Sequence, residues 1–246
     1  MQFYRLISDD ILQAKGSCIA LLGGGGKTAL LHKLADEYAK YYATVLQTSL
    51  TKTAFHPSDN PLILNEIDIN KLESTKLDRN PIFLTGEKIN NEKLKGISEA
   101  DLAIIRHQFD IKIFECDGAR NKPLKAHTDY DPTVPDFTTH VIIIIGADVV
   151  STKVGDGLVH RPELFSNMWS VEPDFELNIN FIVDVVTSKK GYLSKLGHKV
   201  EITYFVNKWD NHRKNAEDLA KAIYIKTGKP TFYGSVQNNI LKQVIE

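Results

Sequence analysis

Four successive glycines, Gly23, Gly24, Gly25 and Gly26, run directly into Lys27 and Thr28. The apolar run Cys18 to Leu22 precedes them, and a helical pattern from Ala29 to Tyr42 follows. Strand, glycine loop, helix: this order constrains the fold more tightly than any other feature of the chain. Residues without side chains let backbone N–H groups close around an anion, and a helix N-terminus adds its partial positive charge. Lys27 supplies a full charge for terminal phosphates, and the Thr28 hydroxyl can hold Mg²⁺. Gly23 to Ala29 therefore reads as a site for a nucleoside triphosphate. The usual pattern, G-x-x-x-x-G-K-[ST], would place its first glycine at position 21, where Leu21 stands instead. A short loop is expected, with its wrap around a γ-phosphate in question. The alternative is a glycine-rich turn with no ligand, although four glycines carry an entropic cost that a mere turn does not require.

The 30 lysines and arginines nearly balance the 31 aspartates and glutamates. No basic field points to nucleic acid, and no acidic excess points to a disordered tail. Cys18 and Cys116 lie in apolar runs without metal-ligand spacing and read as buried thiols in a reducing compartment. The N-terminus lacks a basic region followed by an apolar stretch, and the run Val141 to Ile145 is far too short to cross a bilayer. A cytoplasmic protein with no membrane or nucleic-acid partner is expected. A chain of 246 residues can build one core, and no internal repeat or linker divides it.

Strand-like and helix-like segments alternate, which favours a mostly parallel sheet covered by helices. Ser8 is expected to cap a short helix over Asp9 to Ala14, ended by Gly16. Leu30, Leu31, Leu34, Ala35, Tyr38 and Tyr42 form a core-facing stripe at helical spacing. Strands are expected at Cys18–Leu22, Thr44–Thr48, Ile111–Cys116, Val141–Ile145, Glu201–Val206 and Pro230–Tyr233. Residues 55 to 97 are punctuated by prolines and show only Ile82-Phe83-Leu84 as strand-like; an insertion or lid is expected there. Ser98 with Asp101 approximates a capping box for a helix through Phe109. Ile179, Ile182, Val183 and Val186 fit a helix, with a strand as the alternative. A helix over Ala216–Thr227 stops at Gly228 and Pro230, and a C-terminal helix is expected after the last strand.

Two further clusters carry chemistry. Glu115 and Asp117, two residues apart at a strand end, share a face. Burying both there is unfavourable unless a cation is met. Asp117 is placed to hold Mg²⁺ and Glu115 to support it or orient a water; capping the next turn is the structural alternative. Asn207-Lys208-Trp209-Asp210 has the N-K-x-D form of guanine-binding sites. Asp210 would accept from the guanine N1–H and amino group, the Lys208 stem would cover the base, and Asn207 would tie loops together. Such a site can reject a base lacking those donors by a factor up to about 10⁴. A polar turn is the plain alternative. Thr48, Ser49, Thr51, Lys52 and Thr53 could face phosphate or serve only as turn chemistry.

With these residues assembled, the chain resembles the YqeC family of selenium-dependent molybdenum hydroxylase accessory proteins. The likeness runs through Gly23–Thr28, Leu94–Ser98, Glu115–Ala119, Lys122–Ala126, Asp131–Pro135, Gly146–Asp148, Val159–Glu163 and Asn207–Asp210. His127 and Asp131 depart from the family pattern, which has proline and glutamate there, and the threonine run is reduced to Thr48-Ser49-Leu50-Thr51. The resemblance implies a P-loop NTPase-like, three-layer α/β/α fold and a role in maturing a selenium-containing molybdenum cofactor. It marks Arg120, Lys125, His160 and Arg161 as an anion-facing substrate group, to which Lys122 adds a further cation; charge-assisted hydrogen bonds of this kind contribute about 1.5–3 kcal/mol each, and a solvated surface charge is the alternative for each cation.

The expected activity is Mg²⁺-dependent hydrolysis of GTP or ATP, with Lys27, Glu115 and Asp117 catalytic and Thr28 and Asp117 on the metal. Alternatives are a nucleotide-gated binding protein with little turnover and a small-molecule kinase. Expected partners are the nucleotide and a molybdenum hydroxylase or its cofactor, with a homodimer left open.

Overall fold

The computed structural model describes residues 3–7, 16–54, 60–66, 79–91, 93–197 and 199–245. The helix expected over Asp9 to Ala14 lies outside them. In chain order the elements are β1 (Ser17–Gly23), α1 (Lys27–Tyr38), β2 (Val45–Ser49), β3 (Thr53–Ala54), β4 (Leu62–Ile63), β5 (Ile82–Thr85), β6 (Glu87–Asn90) and β7 (Lys93–Lys95). There follow α2 (Glu99–Ile105), β8 (Ile111–Glu115), β9 (Leu124–Lys125), β10 (His140–Gly146), β11 (Val159–His160) and α3 (Pro162–Trp169). The chain ends with α4 (Ile179–Val186), β12 (Glu201–Asn207), α5 (Arg213–Thr227), β13 (Thr231–Ser235) and β14 (Ile240–Gln243).

Nine strands form one sheet in the order β14-β13-β12-β10-β1-β8-β2-β5-β4. Every pairing in it is parallel except β13 with β14. The central strands are apolar on both faces, as a doubly covered parallel sheet demands. Leu30, Leu31, Leu34, Ala35 and Tyr38 of α1 pack with Ile19, Leu21, Ile113 and Ile142 on one face. Residues of α2, α3, α4 and α5 pack with Ala20, Leu22, Phe114 and Ile143 on the other. The result is a three-layer α/β/α arrangement, consistent with the P-loop NTPase-like class.

The strand order reverses at β1. Its neighbour β8 leads toward β2, whereas its other neighbour β10 leads toward β12. Crevices at the carboxyl ends of strands beside such a reversal are where open α/β sheets bind ligands. The glycine loop leaves β1 there.

Several elements differ from expectation. The capping box at Ser98 and Asp101 forms, but α2 closes at Ile105 and tightens into a 3₁₀ turn over Arg106–Gln108. Residues 179–186 are helical, capped by the Asn178 side chain on the Phe181 amide. The segment after β13 is a strand, not a helix: β14 pairs antiparallel through Ile240–Gln243. Within 55–97, β6 and β7 form a hairpin that joins β3 in a separate three-stranded sheet. Helix α3 was not anticipated, although Pro162 at its first turn followed by Glu163 is a recognisable start. Among the described residues no helix is long and apolar enough to cross a membrane.

Candidate functional site

The glycine loop is held by its surroundings before any ligand is considered. The Gly23 N–H donates to both Asp117 carboxylate oxygens at 3.1 Å. Gly24 N–H donates to the Ile144 carbonyl at 2.9 Å and Gly25 N–H to the Lys122 carbonyl at 3.0 Å. A Cβ on Gly24 would stand 2.1 Å from the Lys122 oxygen, and one on Gly23 would stand 2.3 Å from the Ile144 oxygen. Part of the glycine requirement is therefore close backbone packing of the loop against β10 and the 122–123 turn. Gly26, with φ 126°, is the N-cap of α1 and supplies no side-chain cap. The amides of Gly26, Lys27, Thr28 and Ala29 have no hydrogen-bond partner among the described residues. Unsatisfied N–H groups at a helix start are a ready anion site.

Beside this open turn lies a closed one. Asp117, just beyond β8, is fully buried. Its carboxylate meets Lys27 Nζ at 3.3 Å, Lys125 Nζ at 3.2 Å and His127 Nε2 at 2.8 Å. Burial would push its pKa up; the Lys27 ammonium, the His127 hydrogen bond and Lys125 overcome this and hold it far below the usual carboxylate range. An ionised Asp117 can only accept, so His127 carries its proton on Nε2. Burial pushes the His127 pKa down, against the pull of Asp117. Lys27 also donates to the Gly23 carbonyl at 2.5 Å.

The network continues away from the loop. Lys125 donates to the Gly118 carbonyl at 2.8 Å and to Asp131 at 2.5 Å. Asp131 also takes Arg161 Nη1 at 3.0 Å. The parallel pairing of β9 with β11 sets Lys125 opposite His160. Burial and the nearby Arg161, Lys125 and Arg120 cations lower the His160 pKa to about 4. Arg120 is exposed, at φ 46°. The structure thus gathers Arg120, Lys125, His160 and Arg161, but Lys125 and Arg161 are engaged by Asp131.

Glu115, at the end of β8, contrasts with Asp117. It is buried, and its Oε1 has no partner among the described residues. Burial raises its pKa, with the Lys27 ammonium and the Thr28 hydroxyl pulling the other way. Mg²⁺ is commonly held by one or two carboxylates together with phosphates and water. An orphaned carboxylate oxygen beside a hydroxyl and an open helix head fits that chemistry. Asp117 could join such a shell only by releasing Lys125 or His127.

The third cluster adjoins the loop. Asn207 Nδ2 donates to the Gly25 carbonyl at 2.7 Å, and its Oδ1 accepts from Val236 N–H at 3.1 Å. Lys208 is paired with Asp148 at 2.6 Å. Trp209 donates to Glu217 at 2.9 Å, with Lys242 Nζ 4.1 Å from its ring centroid. The Asp210 carboxylate is half-exposed and unpaired among the described residues.

Sequence reasoning registered His127 and Asp131 only as departures and did not single out Tyr192. In the fold His127 stacks edge-on against Tyr192 with centroids 4.7 Å apart, and the Tyr192 oxygen accepts from the Lys125 amide at 3.2 Å. The signal available was the spacing itself: Asp117, Lys125, His127 and Asp131 fall within one loop, too many charges for a merely polar turn.

The model of the YqeC protein family matches residues 19–163, which span β1 through the start of α3. An uncharacterized protein YqeC of Escherichia coli strain K12 is 28% identical over 207 residues, covering 83% of this chain and 80% of that protein. The chain belongs to the YqeC family.

Proposed function

We propose that this YqeC-family chain binds a Mg²⁺–nucleoside triphosphate, GTP or ATP, at the head of α1 and hydrolyses it during maturation of a selenium- and molybdenum-dependent hydroxylase cofactor. The observation that carries the binding is the row of unsatisfied amides from Gly26 to Ala29, at the carboxyl end of β1 and beside the buried Lys27. The maturation role rests on the family resemblance.

In this reading the amides receive the β-phosphate. Lys27 swings from the Gly23 carbonyl and Asp117 onto the terminal phosphates, and Asp117 fixes its starting position. Glu115 and Thr28 would hold Mg²⁺, which when bound neutralises charge on the phosphate oxygens. Glu115 also orients the attacking water. Asn207 anchors the loop, and Asp210 offers a free acceptor to guanine. Catalysis would be mainly positioning and charge stabilisation, as phosphoryl transfer permits.

The test is calorimetry of GTP, ATP and CTP, with and without Mg²⁺, on wild type, Lys27→Ala and Asp210→Ala. Lys27→Ala should weaken triphosphate binding at least about tenfold, the loss of one charge-assisted contact. Unchanged affinity would remove Lys27 from the site, and equal GTP and ATP affinity would refute base reading by Asp210.

The saturated Asp117 network favours a second reading, a nucleotide-gated binding protein. Moving Lys27 would leave Asp117 underpaired, so nucleotide could shift the Lys125–Asp131–Arg161 segment as a signal. Slow turnover with nucleotide-dependent partner binding would select it.

A further inference from the structure

At the opposite rim of the sheet, where β1, β2 and β8 begin, lies a cavity of roughly 370 Å³. Its floor includes Lys112, a side chain only 1% exposed, on the second residue of β8. Register sets Lys112 beside Cys18 of β1 and Leu46 of β2. Its ammonium donates to the Phe109 carbonyl at 3.2 Å. A second cation, Arg106, lines the same cavity, with its guanidinium 4.5 Å from the Phe137 ring centroid.

Among the described residues one carboxylate, Asp110, lines the cavity against these two cations, so one positive charge there has no matching anion. One Asp110 oxygen accepts both the Thr44 amide and the Thr44 hydroxyl, each at 3.1 Å. A buried ammonium without a full counter-charge is unfavourable and is normally paired. Burial accordingly pushes the Lys112 pKa down, with Cys18 and Asp110 opposing only in part. The remaining walls combine the Phe109 and Phe137 rings with the Gln108 side chain, whose buried Oε1 also has no partner among the described residues. The volume falls in the range of small-molecule sites, which typically begin at about 300 Å³.

We propose that this cavity is a second ligand site, separate from the head of α1, which takes a small oxyanion carrying an apolar body, its carboxylate or phosphate seated between Lys112 and Arg106. The anion completes the charge that Asp110 does not supply, and the rings of Phe109 and Phe137 cover the apolar part. A donor group on the ligand would satisfy Gln108.

The full chain is titrated with benzoate and, separately, with inorganic phosphate, and followed by thermal unfolding and calorimetry. Saturable binding of benzoate, at least tenfold weaker in both Lys112→Met and Arg106→Gln, is expected. Inorganic phosphate binding with the same two losses would also support the site and identify charge, not the apolar body, as what is recognised. Failure of both probes to bind, or equal affinity in the two variants, overturns the proposal. Arg106 is only half-buried, so Arg106→Gln remains informative should Lys112→Met fail to fold. Triphosphate binding at α1 is measured on the same variants; its loss alongside the anion would merge the two sites and refute their separation.

Discussion

Two neighbouring regions at the carboxyl rim of the sheet handle buried charge in opposite ways. Around Asp117 each anion has found partners: the Lys27 and Lys125 cations and the His127 N–H on one carboxylate, Lys125 and Arg161 on the next. Around Glu115, two residues earlier at the end of β8, a carboxylate oxygen and the first amides of α1 have no partner among the described residues. The saturated side can hold the frame rigid. The unsaturated side has unmet capacity for both a cation and an anion, which is what a metal–phosphate pair would fill. The two carboxylates are distinguished by their partners, not by residue type.

The most damaging way to break this contrast is Asp117→Asn. It strands Lys27 as a buried cation and leaves Lys125 with Asp131 alone, and loss of one partner of a buried pair typically costs about 3–5 kcal/mol. Chemical denaturation should show that loss; a change under about 1 kcal/mol would mean the network does not hold the frame.

Acidification should have the next largest effect, with opposite signs on the two sides. His127 and His160 have lowered pKa values in the fold, His160 to about 4. Unfolded histidine takes up a proton below about pH 6.5, where the folded rings remain neutral. Their contribution is complete above that pH and is lost as the pH falls below it, for His160 down to about 4, with the solvent-screened His160 contributing the smaller share. Glu115, with a raised folded pKa, works the other way: its burial becomes easier as the pH falls toward its unfolded value. Denaturation midpoints across pH 4–7 should therefore fall more steeply in Glu115→Gln than in wild type. Parallel curves would remove Glu115 from the comparison.

The smallest effect expected is on Glu115→Gln stability at neutral pH, a gain of about 0–1 kcal/mol from relieving a buried charge. Mg²⁺-dependent triphosphate affinity, measured calorimetrically, should drop in the same variant while Mg²⁺-independent affinity persists.

The central strands, α1, the Ser98 capping box and the Gly228 stop were legible because each follows from local patterns: apolar runs, three- and four-residue spacing, turn residues. What stayed hidden depends on contacts distant in sequence. Nothing local to Gly24 and Gly25 shows that their amides bond to Ile144 and Lys122. The burial of Lys125, which looks like a surface cation in sequence, follows only once β9 is folded under the 118–131 loop with Asp117 and Asp131 as acceptors. Strand β14 was missed because an edge strand of mixed polarity resembles a frayed helix until β13 is there to pair with it. That Lys27, Asp117 and Asn207 would lie beside the glycine loop could be read from the strand ends, whereas the division between open and engaged groups could not.

Asn207 has one further consequence. Its single amide grips Gly25 with one end and Val236 with the other, so the strap between the glycine turn and the loop after β13 has a fixed length. The glycine turn and the loop after β13 are thereby kept at a set spacing, as if by a caliper.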